Sequence, residues 1–339
     1  MSDTSRQRAA ALLEVLGVFL TGQFLANLLA IPLVQLGIST ADPFATLNAH
    51  STGPELITGA WLMFLRLMLI NSGYFLLIIP INWWRRRQGP VAYGLTKAGH
   101  SWTTLLLAGL GTAALSTWPV MSVSLANLIH PSQTTPWRQA FFDMSWRRWE
   151  FWLFSAVMSW ALVPVVEELF FRGYCQRRLA EHWGDGPAIV GTACFFTFAH
   201  SQYQIPNLYN AGMIVGLLIS ALGFGVVFAW TRSLIPGIIA HALIDIPMTV
   251  PWEAARVAVL MIGAAFLWRR GLAIIKQVFP NTKLGATVAL ALVQTVYMIA
   301  VSRVDKFVYV AIAMLVAAVM LEAISRRRSR VAQAESASA

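Results

Sequence analysis

Apolar segments long enough to cross a lipid bilayer follow one another along nearly the whole chain, and this constrains the fold more than any other feature. With ends good to a few residues, they run over 12–36, 56–82, 105–129, 151–174, 188–204, 210–230, 234–250, 254–268, 284–301 and 307–324. A helix needs about 20 consecutive apolar residues to span the hydrocarbon core. Inside that core every backbone N–H and C=O must be bonded within the protein, so such segments become helices. The expected fold is all-α: a polytopic transmembrane helical bundle of about eight to ten spans. The spread reflects Pro206, Pro236, Pro247 and Pro251, which punctuate the middle segments. The first span begins close to Met1, is too long for a signal-peptide core and lacks an A-x-A-like cleavage site, so it reads as a mature helix.

Composition agrees. Only 12% of the 339 residues are charged and 57% are hydrophobic, with a mean hydropathy of +0.62. A soluble surface carries roughly 25–35% charged residues, and disorder requires low hydrophobicity with high charge. Two cysteines, Cys175 and Cys194, make no disulfide framework and read as packing residues. There is no Cys-rich zinc motif, P-loop or GxGxxG.

The net charge of +10 invites a nucleic-acid reading, but the placement of the basic residues gives a better one. With a cytoplasmic N-terminus, 18 of the 25 Lys and Arg fall on the inner side of the bilayer. They sit at Arg6 and Arg8, Arg85 to Arg87 with Lys97, and Arg172 with Arg177 and Arg178. The others are Arg232, then Arg269, Arg270, Lys276 and Lys283, then Arg326 to Arg328 with Arg330. Outer loops hold Arg138, Arg147, Arg148, Arg256, Arg303 and Lys306, and Arg66 lies within a span. The bias puts both termini in the cytoplasm and makes the number of spans even. The basic excess is thus a topology signal that also suits anionic lipid; no nucleic-acid partner is expected. Trp137, Trp146, Trp149 and Trp152, interleaved with Arg138, Arg147 and Arg148, read as an interfacial belt entering the fourth span.

Against so apolar a background the ionisable residues at membrane depth are the informative ones. Each costs about 2.5–3.5 kcal/mol at a helix centre on insertion scales. They are Glu14, Arg66, Glu167, Glu168, Arg172, His200, His241, Asp245 and Glu322. Glu14 and Glu322 lie within about a turn of a membrane boundary and read as interfacially solvated. Arg66 is deeper and suits a carboxylate partner or a substrate carboxyl group, without the sequence naming either.

The remainder cluster. In VPVVEELFFRGYCQRRL, Glu168 and Arg172 are four apart, on one helix face, and can pair. Glu167 is rotated about 100° from Glu168 and points to a different neighbour, which makes it a candidate general base. The fifth span places Phe196 and His200 on one face, and the seventh does the same for His241 and Asp245. A carboxylate beside a His can fix its tautomer, or join it in holding a metal or a polarised carbonyl. At 1.5 Å per residue, Glu167 and His241 both sit about 10 Å below the cytoplasmic face, and His200 about 18 Å. Three helices can therefore bring Glu, His, His and Asp to one level, in a polar membrane-embedded cavity open toward the cytoplasmic side. Pro164, Pro236 and Gly237 flank it.

These residues carry a resemblance. The order Glu167-Glu168-Leu169-Phe170-Phe171-Arg172, then Phe196-Thr197-Phe198-Ala199-His200, then His241-Ala242-Leu243-Ile244-Asp245 resembles the EExxxR, FxxxH and HxxxN/D motifs of the CAAX protease and bacteriocin-processing (Abi) family. That family includes the type II CAAX prenyl endopeptidases. Phe171-Arg172-Gly173 and Ser233-Leu234-Ile235-Pro236-Gly237 are similar to the family's wording as well. The likeness covers roughly 150–250. It divides the chain into N-terminal helices without a recognised motif (1–130), a catalytic core (131–252), C-terminal helices (253–325) and a basic, then disordered, tail (326–339).

The resemblance implies an intramembrane endopeptidase in a membrane, with a bacterial plasma membrane as the expected location. Its substrate would be a membrane-associated peptide or protein. Carried over by motif position, Glu167 activates water with help from His200, His241 and Asp245 stabilise the oxyanion, and Glu168 and Arg172 brace the site. One departure matters: CAAX-processing members typically have Asn where this chain has Asp245. An ionised Asp cannot donate to an oxyanion, so Asp245 must be protonated, or must orient His241, or belongs to a metal site. Glu167, His200, His241 and Asp245 would be reasonable Zn2+ ligands, which leaves a glutamic and a metallo-endopeptidase both open. Metal-independent, Glu-activated water is the favoured form, with no cofactor required. Two other functions fit the same polar positions: a non-proteolytic immunity or scaffold protein of the same fold, and a proton-coupled transporter using the buried carboxylates as a relay. The sequence shows no inverted repeats with paired broken helices of the kind transporters use.

Overall fold

The computed structural model describes residues 3–36, parts of 52–73, 93–130, 148–301 except 150, 151, 154, 155, 247 and 281, and 307–338. Arg66, Arg85 to Arg87 and most of the Trp-rich stretch at 137–152 lie outside the described residues. All regular structure among the described residues is helical.

Helix α1 (Asp3–Gln35) is followed by α2 (Trp102–Ser116) and α3 (Trp118–Ile129), which bend by 56° across Thr117. Pro119 supplies the break: it lacks an N–H and is tolerated only in the first turn of a new helix. Next comes a helix of mixed register. Ala156–Leu162 is π-helical, α4 (Val163–Glu168) is α-helical, Leu169–Gln176 is again π-helical, and α5 is Arg177–Trp183. Pro164 cannot bond the carbonyl four residues before it and crowds that carbonyl, and the helix is widened in the turns leading up to it. Gly184, at φ +86°, turns the chain into α6 (Asp185–Ala199) in a conformation that suits glycine.

A short 3-10 turn at Ser201–Tyr203 leads to α7 (Leu208–Thr231), α8 (Ile235–Asp245), α9 (Val250–Val278), α10 (Leu284–Val301) and α11 (Phe307–Ser338). Side chains cap two of the starts: Ser101 Oγ accepts from the Thr104 N–H at 3.1 Å, and Asn207 Oδ1 from the Asn210 N–H at 2.8 Å.

Among the described residues, four helices are long and apolar enough to cross a membrane. They are Thr4–Gln35, Leu208–Thr231, Val250–Val278 and Leu284–Val301, and the bent α2–α3 pair makes a fifth. The fold is a polytopic helical bundle, with four or five full-length spans among the described residues. The apolar segments at 188–204 and 234–250 contain helices of only 15 and 11 residues. Such short helices do not cross unaided; they are packed among longer neighbours. The segment at 56–82 is only partly described.

The aromatic core lies where α1, the Leu169–Gln176 segment and α6 meet. Phe19, Phe170, Phe171, Phe195 and Phe196 interlock there, mostly edge-to-face, with centroids 5.0–6.3 Å apart. Around it, α1 packs along α11, α10 along α6 and α8 along α2. The outer helix α9 exposes Val259, Ile262 and Phe266, as a lipid-facing helix does.

Candidate active site

Three elements converge beside this aromatic core: the α4 end of the mixed helix, the C-terminus of α6, and α8. Glu168 is the centre of the arrangement and is fully buried. Its Oε1 accepts from Arg172 Nη1 at 2.9 Å and from His241 Nδ1 at 3.0 Å. The expected Glu168–Arg172 pair is thus present. Arg172, also buried, donates from Nη2 to the Ala221 carbonyl at 3.2 Å and lies over the rings of Phe196 and Phe224, at 4.6 and 5.2 Å. The carbonyl and the ring faces offset part of the cost of burying this pair, while Glu168 Oε2 and Arg172 Nε are buried without a hydrogen-bond partner.

Close approach of α8 to Glu168 depends on Gly237. A Cβ at that position would stand 2.9 Å from Glu168 Oε2. The Ile235-Pro236-Gly237 start of α8 therefore combines a helix-initiating proline with the one residue small enough to pass the buried carboxylate.

His241 is held on all sides. Its ring stacks on Phe224 at 5.4 Å and meets Phe196 edge-on at 5.8 Å. With Nδ1 bonded to Glu168, its Nε2 looks toward two further carboxylates: Glu167 Oε2 at 3.8 Å and Asp245 Oδ2 at 3.7 Å. Both distances exceed direct hydrogen-bond reach. The residue that fixes the ring of His241 is therefore Glu168, from another helix, whereas the i,i+4 spacing had suggested Asp245. Glu167 does not face a different neighbour from Glu168, as its offset of about 100° had implied: the two carboxylates meet opposite nitrogens of the same ring, because His241 lies between them.

His200 caps α6. Its Nδ1 lies 2.9 Å from the Phe196 carbonyl, which fixes the tautomer with Nδ1–H as donor and leaves Nε2 as the basic nitrogen. The ring packs against Phe196 at 4.8 Å and stacks with Tyr203 at 6.4 Å. Phe196 thus touches both histidines. His200 and Asp245 line one cavity of about 270 Å3, whose apolar walls include Val120, Met121, Leu128, Met213, Leu217 and Met248.

Among the described residues, no three His, Cys, Asp or Glu side chains come together in a way that could hold a metal ion. Glu167, His200, His241 and Asp245 share a neighbourhood, but as arranged they do not fit a zinc site.

Two parts of the charge inventory differ from the sequence expectation. Glu14 and Glu322 are not interfacially solvated. Glu14 accepts from Tyr174 Oη at 3.0 Å and Arg178 Nε at 2.7 Å, and Arg178 also meets Glu181 at 2.9 Å and Glu322 at 3.7 Å. Helices α1, α5 and α11 are joined by this buried cluster. Arg256, assigned to an outer loop by charge counting, lies within α9 together with Glu253, and both line the cavity beside Asp245. The pair falls at the edge of an apolar segment, where hydropathy hides it, and its i,i+3 spacing is its signal in the sequence.

No curated protein and no solved structure matches the chain. Residues 148–247, which carry Glu167, Glu168, Arg172, His200, His241 and Asp245, match the family described as type II CAAX prenyl endopeptidase Rce1-like, and through this segment the chain is similar to CAAX-type intramembrane proteases.

Proposed function

We propose that the chain hydrolyses a peptide bond of a membrane-associated, CAAX-type peptide or protein with water activated by Glu167. The observation that carries this reading is His241 Nε2 between Glu167 at 3.8 Å and Asp245 at 3.7 Å, with the ring anchored on Glu168. A general base and a donor stand side by side, close enough for one oxygen atom to contact both, near a cavity with apolar walls.

In this mechanism a water beside Glu167 gives it a proton as its oxygen attacks the scissile carbonyl. His200 Nε2, kept as an acceptor by the Phe196 carbonyl, orients that water. The carbonyl oxygen takes up the electron pair and becomes an oxyanion. Nδ1–H of His241 is committed to Glu168, so His241 donates to the oxyanion from Nε2 as an imidazolium, with Asp245 as its second carboxylate partner. This gives Asp245 a role as an acid that orients and balances His241, where a neutral Asn would donate directly. The tetrahedral intermediate collapses, the C–N bond breaks, and Glu167 returns its proton to the leaving amine. Arg172 and Glu168 touch no reacting atom; they hold His241.

The opening of the cavity toward the cytoplasm, and both termini on that side, belong to the same proposal. The basic residues support them. No step runs through a metal. Cleavage of a farnesylated CAAX peptide by the protein in liposomes is expected to survive exhaustive chelation; loss of activity that added Zn2+ restores would overturn the metal-free mechanism.

A further inference from the structure

We propose that Arg256 is a positioning residue for Asp245: from α9, outside the matched family segment, it clamps the carbonyl end of α8 and so sets the place of the carboxylate facing His241. Helix α8 ends at Asp245 on the wall of the cavity, where its last carbonyls have no next turn to bond. Arg256 Nη1 takes two of these terminal groups, the Leu243 carbonyl at 2.6 Å and the Ile246 carbonyl at 2.8 Å. These bracket Asp245 in sequence. Nη2 of the same guanidinium bonds Glu253, one turn earlier on α9.

The burial pattern of α9 gives independent support. This helix exposes most of its apolar side chains, yet of its 29 residues the fully buried ones are Glu253 and Val257, and the Arg256 side chain is only 11% exposed. An outer helix of a membrane protein that turns its charges inward does so where they meet a polar demand, here the end of α8. A planar fork matches two carbonyls and one carboxylate together, which a single ammonium cannot do. Arg256 and Glu253 also line the cavity with His200 and Asp245, so a shift of the clamp is felt at the site.

Only the kinetic part of the proposal rests on the hydrolytic reading. In the full chain in nanodiscs, Arg256→Met is expected to speed amide hydrogen exchange across 242–246 at least about tenfold, leaving exchange in α7 and α10 unchanged. Unaltered exchange at 242–246 overturns the clamp, whatever the enzyme cleaves. With a farnesylated CAAX peptide as probe, Arg256→Met is expected to lower kcat at nearly constant KM. The loss should shrink to within about twofold in an Asp245→Asn background, because the two residues act as one unit. Equal losses in both backgrounds overturn action through Asp245. Arg256→Lys keeps the charge beside Glu253 but offers one nitrogen for two carbonyls, and is expected to give intermediate values. Should Arg256→Met fail to fold, Arg256→Lys decides: wild-type exchange with wild-type kcat contradicts the proposal. A wild-type protein that exchanges as expected but cleaves nothing would refute the proposed activity and leave the clamp standing.

Discussion

Glu168 shows how much a single buried carboxylate can determine. One oxygen serves both Arg172 and His241, so this residue couples the ion pair of one helix to the functional histidine of another. Removing Arg172 would strand charge in the interior. Arg172→Met is expected to cost about 3–5 kcal/mol of stability, the usual penalty for breaking a buried pair from one side, and a lowered unfolding midpoint in detergent would register it. Gly237→Ala tests the same residue sterically. A Cβ 2.9 Å from Glu168 Oε2 cannot be accommodated without moving that carboxylate or α8. The variant should insert in the membrane normally and lose most of its peptidase activity; wild-type activity would show that the Glu168–His241 geometry is not needed. At this scale the sequence was most legible. The spacings Glu168–Arg172 and His241–Asp245 follow from helical period alone, whereas the convergence of Glu167 and Glu168 on one histidine does not. The bond from Glu168 to His241 did not, because it joins residues 73 apart and depends on how two helices pack. Arg256 escaped for a related reason: a charge near the end of an apolar segment looks like a loop residue until the carbonyls it bonds are seen.

Helix boundaries were legible where the chain carries long apolar runs with clear punctuation. The segment at 210–230 differs by only a residue or two from Leu208–Thr231, and that at 284–301 coincides with Leu284–Val301. Hydropathy does not report the internal register of a helix, so it gave no sign of the π-helical turns on both sides of α4 or of the 56° bend between α2 and α3. Pro164 and Pro119 were the available cues. Nor does it report which charges meet across helices. Glu14 and Glu322 were read as solvated because each lies near a membrane boundary, yet both reach Arg178 on α5. Glu14→Gln would weaken the bonds to Arg178 and Tyr174 together. The expected cost is about 1–3 kcal/mol, that of leaving buried partners poorly matched. It should appear as faster proteolysis of the α1–α11 pair in detergent, with kcat little changed for the protein that remains folded. A fall in kcat at full stability would instead tie this cluster to the chemistry.

Across the whole molecule, the long helices α9, α10 and α11 expose apolar faces, and short, kinked and widened helices bear most of the site's polar residues. The division has a physical basis. Long regular helices satisfy their own backbone in lipid, while irregular ones need protein around them, and irregular backbone brings side chains of different helices to one point. The match to the CAAX endopeptidase family covers that inner region, and the outer helices contribute at least Arg256 and Glu253 to its cavity. The central claim is that Glu167 activates the water that cleaves the peptide. It is tested most directly by the turnover of a farnesylated CAAX peptide in liposomes, comparing the wild type with Glu167→Gln at matched folded protein. The account predicts cleavage by the wild type and a loss of at least about 100-fold in kcat for Glu167→Gln, with the unfolding midpoint retained. Cleavage by Glu167→Gln at the wild-type rate would contradict it.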